Sequence, residues 1–333
     1  MQLTNLATLQ AILWNILKMY HQPPDEVFTQ AGLDPAVIFK PGKRYPIKKT
    51  VKLWKEAAKK ISDPCFALHV ADCWHPSHLG TLGYAMLAST NIRSALKCLI
   101  RFHKVVSDIP FGTLHEDLRK QALVLTLTDR EDDIYLPQLE DAVLTLVLSI
   151  LRMNYQKPLN PIEVNLKHAP PDCSYRYYEF FKSPVQFNAA ESNMALPLSV
   201  VDVRLTGANQ EIAELNEHLM NRYLVKLGYE SIIDRVKRVI IEHLPSGDAT
   251  VENAAKRLGM SIRTLQRQLQ MEGSSFVNLL HETRRELARQ YIKNTEMELT
   301  EIAFLLGFSE LSTFSRSFKK WTGKSPALYR RSG

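Results

Sequence analysis

Two stretches near the end of the chain repeat each other: Val251–Gly273, VENAAKRLGMSIRTLQRQLQMEG, and Leu299–Gly323, LTEIAFLLGFSELSTFSRSFKKWTG. Each opens with an apolar helical face that closes on a small residue, Ala255 or Ala303. Four residues later comes a glycine, Gly259 or Gly307. A small residue lets two helices cross closely, and glycine accepts the left-handed backbone of a tight turn. Ser261 or Ser309 then stands where its hydroxyl can cap a second helix, and Leu265 or Phe314 pins that helix to the first. The second copy has one more residue in its turn. The pattern predicts two helix-turn-helix units.

The second helix of each copy sorts by face. Ile262, Leu265 and Leu269 are expected inward, leaving Arg263, Gln266, Arg267 and Gln270 on the opposite stripe. In the other copy Leu311, Phe314, Phe318 and Trp321 are expected inward, leaving Ser312, Ser315, Arg316 and Lys319. Arg pairs bidentately with guanine and Gln with adenine, and a stripe at i, i+3, i+4, i+7 is what a helix lays along the major groove. A merely solvated face would carry the same residue types, so local charge matters. Residues 231–333 hold 17 Lys and Arg against 11 Asp and Glu, which is +6 of the chain's net +7. A basic segment beside a neutral one points to an anionic partner such as nucleic acid.

The strings LGMSIRTLQRQL and EIAFLLGFSELSTFSRSFKKWTGKSPALYR closely resemble the DNA-binding domain of AraC/XylS-type bacterial transcriptional regulators. The resemblance covers about 230–333 and implies a long central helix, 275–293, joining the two units. It places the groove-reading positions on Arg263, Gln266 and Arg267 in the first recognition helix, and on Ser312, Thr313, Ser315 and Arg316 in the second. Lysines and capped helix starts are expected on phosphates, where they set register: Ser261, Gln270, Ser275, Lys319, Lys320 and Lys324. HLGTLGYAMLASTNIRSALKCLIRFHKVV and FFKSPVQFNAAESNMALPLSVVD resemble the arabinose-binding-like effector domain of one subgroup.

The rest of the chain fits a two-domain reading, as 333 residues suggest. Residues 1–205 read as an α+β effector domain: helices over Leu6–Tyr20 and Val51–Ile61, a helix start at Asp63-Pro64, a strand in Val124–Thr128 paired with the one before it, a helix over 137–155, and short extended pieces at 162–166, 185–188 and 194–196 around an aromatic helix with Tyr175, Tyr178 and Phe181. The strand order stays open, the sheet being mixed or antiparallel. Residues 206–231 read as a linker or dimerisation helix, with the stripe Ile212, Leu215, Leu219 and Tyr223 either pairing with a second copy or belonging to the domain's own core. Residues 232–333 form the all-α DNA-binding domain.

Other chemistry finds little support. Cys65, His69 and Cys73 at i, i+4, i+8 offer soft ligands, but no close-spaced pair completes a site. The four cysteines suggest no disulfide framework and hence a reducing compartment. His281-Glu282 begins a zinc-protease motif that Arg285 breaks. No metal, cofactor or catalytic residue is expected. The first twenty residues carry no cationic leader, and the longest apolar run, Ala142–Leu151, is too short to span a bilayer. A cytoplasmic bacterial regulator is expected, binding promoter or operator DNA under a small-molecule effector, without membrane contact; RNA polymerase and a second copy are the further partners considered. Trp74, His78, Tyr84, Arg101 and His103 are the candidate effector-pocket residues. The alternatives are a ligand-independent DNA-binding activator and an enzyme domain tethered to DNA.

Overall fold

The computed structural model describes residues 2–131, 133–229, 232–272, 274–293 and 297–331. The chain divides into two compact units, 1–224 and 225–333.

The first unit begins with β1 (Thr4–Leu6), α1 (Ala11–Met19) and α2 (Pro24–Gln30). β2 (Arg44–Pro46) pairs antiparallel with β1 and runs into α3 (Ile47–Lys60). This two-stranded ribbon was not expected in a segment read as helical. It exists because Arg44, in place of a long partner strand, holds the edge. Its guanidinium donates to the Thr4 carbonyl, to the Val105 carbonyl at 2.8 Å and to the Asp108 carboxylate at 2.8 Å, almost out of solvent. Asp108 in turn accepts from the Thr4 backbone and hydroxyl, both at 2.8 Å. The expected helix start at Asp63-Pro64 is instead a turn: the Asp63 carboxylate accepts from the Cys65 backbone at 2.9 Å, and a short 3-10 turn follows.

Next come α4 (Val70–Cys73), α5 (Thr81–Ala88) and α6 (Ile92–Phe102), then the hairpin β3 (Gly112–Asp117) and β4 (Ala122–Leu127). Asn91 caps α6 reciprocally with Ser94. The remaining elements are α7 (Pro137–Tyr155), β5 (Glu163–Asn165), α8 (Tyr175–Phe181), β6 (Val185–Gln186), β7 (Asn193–Pro197), α9 (Leu198–Val201) and α10 (Gln210–Lys226). The sheet order is β3-β4-β7-β5-β6, antiparallel except between β5 and β6. β4 is interior, so Ala122–Leu125 are buried on both faces, and simple alternation understated its burial. Ala122, Val124 and Ala195 cluster together on one of those faces.

Cys65 and Cys173 are joined in a disulfide, against the expectation drawn from cysteine count. The two lie 108 residues apart, a separation from which no local pattern could pair them. α10 does not stand apart as a linker. Arg101 pairs with Glu217 at 3.1 Å, and the Tyr223 hydroxyl donates to the Gly42 carbonyl at 3.2 Å. Met220 and Leu224 are its buried residues, whereas Ile212, Leu215 and Leu219 are exposed.

The second unit contains α11 (Ile232–His243), α12 (Val251–Arg257), α13 (Ile262–Met271), α14 (Phe276–Lys293), α15 (Leu299–Leu305), α16 (Leu311–Thr322) and α17 (Pro326–Arg331). It has two small cores. Val236, Ile240, Ala254, Ala255, Leu265 and Leu269 form one; Ile302, Ala303, Leu306, Phe314 and Phe318 form the other. α14 joins them, giving Phe276 and Leu279 to the first and Ala288 and Ile292 to the second.

Both turn glycines have φ +70°. At Gly259 nothing lies within 4 Å of where a Cβ would stand, but at Gly307 that atom would meet the Leu244 carbonyl oxygen at 2.7 Å. Gly259→Ala is expected to destabilise the second unit by about 1–2 kcal/mol, the left-handed penalty alone. Gly307→Ala is expected to cost more. Equal shifts of the two variants in urea unfolding would remove the Leu244 contact from this account.

Candidate nucleic-acid interface and effector cavity

Each recognition helix is held from behind. In α13, Leu265 and Leu269 are fully buried while Arg263, Gln266, Arg267 and Gln270 are exposed. In α16, Phe314 and Phe318 are fully buried, Ser312, Arg316, Lys319 and Lys320 are exposed, and Thr313 and Ser315 are half-buried. Two inward assignments change. Ile262 and Leu311, each the first residue of its helix, are exposed, because one turn of helix beyond the buried anchor already clears the neighbouring core. Trp321 is only partly buried, packed at the margin of its core.

The helix starts also differ. Ser261 caps α13, its hydroxyl accepting from the Thr264 backbone at 3.1 Å. In the second copy the extra turn residue shifts the cap position from Ser309 to Glu310, whose side chain makes no capping bond. Glu310 accepts instead from the Ser312 hydroxyl at 2.9 Å. Ser275 caps α14, accepting from the Asn278 backbone at 3.3 Å. The Lys324 backbone donates to the Thr322 hydroxyl at 3.4 Å just past the end of α16.

Arg284 of α14 fixes the second turn and had no place in the sequence reading. It donates to the carbonyls of Leu306 at 2.9 Å and Gly307 at 3.1 Å, with its guanidinium 4.8 Å from the Phe308 ring centre. Burial pushes its pKa below the ordinary value. The signal available beforehand was an Arg on the core-facing side of an otherwise solvated helix.

The first unit holds a cavity of about 1040 Å³ of atom-free space, part of it continuous with solvent. One wall is the inner face of α7, with Ala142, Val143, Leu146, Val147 and Ile150; α3 and the segment 106–111 form others. Of the five candidate pocket residues only His103 lines this cavity. Trp74 packs against the helical core, His78 accepts from the His75 backbone at 3.1 Å, Tyr84 is exposed, and Arg101 is engaged with Glu217. His103 donates from Nδ1 to the Ile100 carbonyl at 2.8 Å, and its buried Nε2 has no partner. Burial lowers its pKa, so the ring is held towards its neutral form.

Cys65, His69 and Cys73, whose spacing offered no complete ligand set, are each engaged or placed separately. Cys65 is bonded to Cys173, and His69 lies between Asp72 at 2.9 Å and Arg176 at 2.9 Å. Asp63, beside the disulfide, already accepts from Tyr20 and from Arg176. Both bonds fall on one oxygen, and the other accepts from the Cys65 backbone.

The outer side of α7 is anchored by a buried polar cluster. Asp141 accepts from the Tyr177 hydroxyl at 2.7 Å and meets His168 Nε2 at 2.9 Å, while Glu140 accepts from the Ser192 hydroxyl at 2.6 Å. Burial opposes a charge on His168, but the Asp141 carboxylate outweighs it and raises the pKa. A pKa raised on folding stabilises fully below the unfolded value of about 6.5, and that stability is lost as pH climbs through the folded value. The stability advantage of the wild type over His168→Gln should therefore be larger at pH 6 than at pH 8. An advantage that grows with pH would contradict the pairing.

Two helix-turn-helix units on a shared helix, joined in one chain to a cavity-bearing α+β unit, define a regulator class. Residues 22–205 match the family described as the arabinose-binding domain of AraC transcription regulator, and residues 254–332 match a helix-turn-helix domain. The chain belongs to this family of AraC-type regulators. It is a DNA-binding transcriptional regulator whose first unit is of the effector-binding type. It is 27% identical to the ornithine utilization regulator of Pseudomonas aeruginosa, over 99% of this chain and 96% of that one. It is 35% identical to the regulator VirS of Mycobacterium tuberculosis over 40% of each chain. The crystal structure of the transcriptional regulator CdpR from Pseudomonas aeruginosa shares the fold, with a TM-score of 0.52 at 19% identity over 96% of both chains. Among the described residues no helix is long and apolar enough to cross a membrane.

Proposed function

We propose that the second unit reads an operator through α13 and α16, each in a major-groove segment, and that occupancy of the first unit's cavity shifts the population between binding-competent and incompetent states. The supporting observation is that both recognition helices present their polar stripe outward from a buried apolar anchor on one shared helix, α14. Arg263, Gln266 and Arg267 are the base readers of the first unit; Ser312, Thr313, Ser315 and Arg316 serve the second. Ser261, Gln270, Ser275, Lys319, Lys320 and Lys324 meet phosphates. The exposed Ile262 and Leu311 add apolar contact of the kind that suits thymine methyl groups.

The cavity favours effector control over a ligand-independent activator, which would need no such space. The exposed stripe of Ile212, Leu215 and Leu219 on α10 supports pairing with a second copy of the chain. Arabinose, from the domain's description, and ornithine, from the name of the Pseudomonas relative, are the first effectors to try. RNA polymerase contact and a cytoplasmic location complete the reading.

Long side chains flank Arg267, whereas Arg316 has Ser312 and Ser315 beside it. The first unit therefore carries more discrimination and the second more positioning. Arg267→Ala should weaken binding to a selected operator duplex by about 1–3 kcal/mol while leaving scrambled duplex nearly unchanged. Lys319→Ala should weaken both alike and flatten the dependence of log K on log salt by about one unit. Equal losses on both duplexes for Arg267→Ala would make it a phosphate clamp and reverse the face assignment of α13.

A further inference from the structure

Three buried or half-buried arginines among the described residues are held by protein oxygens. Arg44 binds the Val105 and Thr4 carbonyls and Asp108; Arg152 donates to the carbonyls of Leu159, Phe180 and Phe181; Arg284 donates to those of Leu306 and Gly307. Arg130 differs. It follows β4, lines the cavity, and among the described residues no hydrogen bond or ion pair reaches its guanidinium. Burial lowers its pKa, while Glu140 and Tyr135 act on it only through longer-range attraction. The Glu140 carboxylate is itself engaged by Ser192.

A half-buried cation without a protein partner, placed in a cavity wall, is matched by an anion that enters the cavity. The chemistry of the other walls restricts that anion. Ile47, Val51, Leu99, Leu146, Val147 and Ile150 give an aliphatic lining, with Trp54 and Phe111 adding aromatic surface. No Asp or Glu lines the cavity among the described residues. An ammonium group would find no carboxylate there. Beside Arg130 the polar side chains of the lining are Asn5, Gln10, Thr50, Ser107 and His103. The Asn5 and Gln10 carbonyls and the Ser107 hydroxyl already accept from Thr50, Trp54 and Ile109, whereas the buried Nε2 of His103 has no partner and can accept a hydroxyl because Nδ1 already holds the proton.

We propose that the cavity takes an apolar monocarboxylate, with the carboxylate paired to Arg130, the hydrocarbon body against the α3 and α7 walls, and any hydroxyl on that body donating to His103 Nε2. The proposal rests on the reading of the first unit as an effector domain, and it names the effector's class.

The test titrates the full chain with octanoate, 8-hydroxyoctanoate, octan-1-ol, L-ornithine and L-arabinose, following tryptophan fluorescence, since Trp54 is in the wall, and calorimetry. Octanoate should bind, and Arg130→Met should weaken it by about tenfold or more, as loss of a charge-assisted hydrogen-bond pair implies. The same variant should leave octan-1-ol unaffected and should not destabilise the empty protein. Arg130→Lys should fall between. His103→Phe should erase any preference for 8-hydroxyoctanoate while retaining octanoate. The proposal is overturned if octanol binds as tightly as octanoate, if Arg130→Met leaves octanoate affinity unchanged, or if octanoate does not bind. Operator binding separates the two layers. Octanoate bound through Arg130 with no effect on operator affinity would keep the ligand class and remove effector control. Arabinose or ornithine altering operator affinity while octanoate fails to bind would do the reverse.

Discussion

Backbone conformation at two glycines governs the DNA-binding unit. A helix-turn-helix must reverse direction within a few residues, and at Gly259 and Gly307 the chain does so at φ +70°, where a side chain is strained. The two turns are secured differently. At Gly259 there is open space, so conformation alone selects glycine. At Gly307 the backbone is wedged between the Leu244 carbonyl and Arg284, whose donors bind the turn's own carbonyls. The second recognition helix is thus positioned by α14 and by the end of α11, and the first by its own small core. Because α14 enters both cores, the angle between the two polar stripes depends on one helix remaining straight.

The first unit follows a different logic. Its helices and small sheet leave an internal space instead of closing over it, and the elements around that space are anchored on their far sides. α7 shows the division: its inner face is aliphatic, and its outer face holds Glu140 and Asp141 in buried hydrogen bonds with Ser192, Tyr177 and His168. Buried carboxylates cost stability unless their oxygens are met, and here they fix the rotation of α7 about its axis. That rotation decides which residues face the cavity.

What could be read from the sequence was what is local. The repeated turn grammar, the buried anchors Leu265 and Phe314, and the long helix 137–155 depend on neighbours three or four residues apart, and periodicity carries that information. Ile262, Leu311 and Ser309 were misplaced because a one-residue difference in turn length, or the reach of a core across a helix end, is invisible to periodicity. The cavity was largely illegible. Its lining draws on β1, α3, α6, the segment 106–111, Arg130 and α7, elements with no common pattern, and only His103 among the five residues chosen stands in its wall. Arg130 carries no local mark at all. Its place in the proposal comes from the lack, among the described residues, of an oxygen bonded to it.

The link between Cys65 and Cys173 also has a topological side. It closes residues 65–173 into a covalent ring. α6, the β3–β4 hairpin, Arg130 and α7 belong to that ring, whereas β1, α1 and α3 precede it on a free N-terminal arm. The cavity lies along the seam where arm meets ring, and backbone bonds stitch the seam: Leu6 to Val106 at 2.7 Å, Asp108 to Thr4 at 3.0 Å, with Arg44 and Asp108 as a buckle beside them. Closing so long a loop restricts the unfolded chain by an amount on the order of 4–5 kcal/mol in the entropic account. That tether acts within the ring and adds nothing across the seam. The weaker boundary of the first unit is consequently the one that borders its cavity, and reducing the disulfide would soften the ring while leaving the buckle in place.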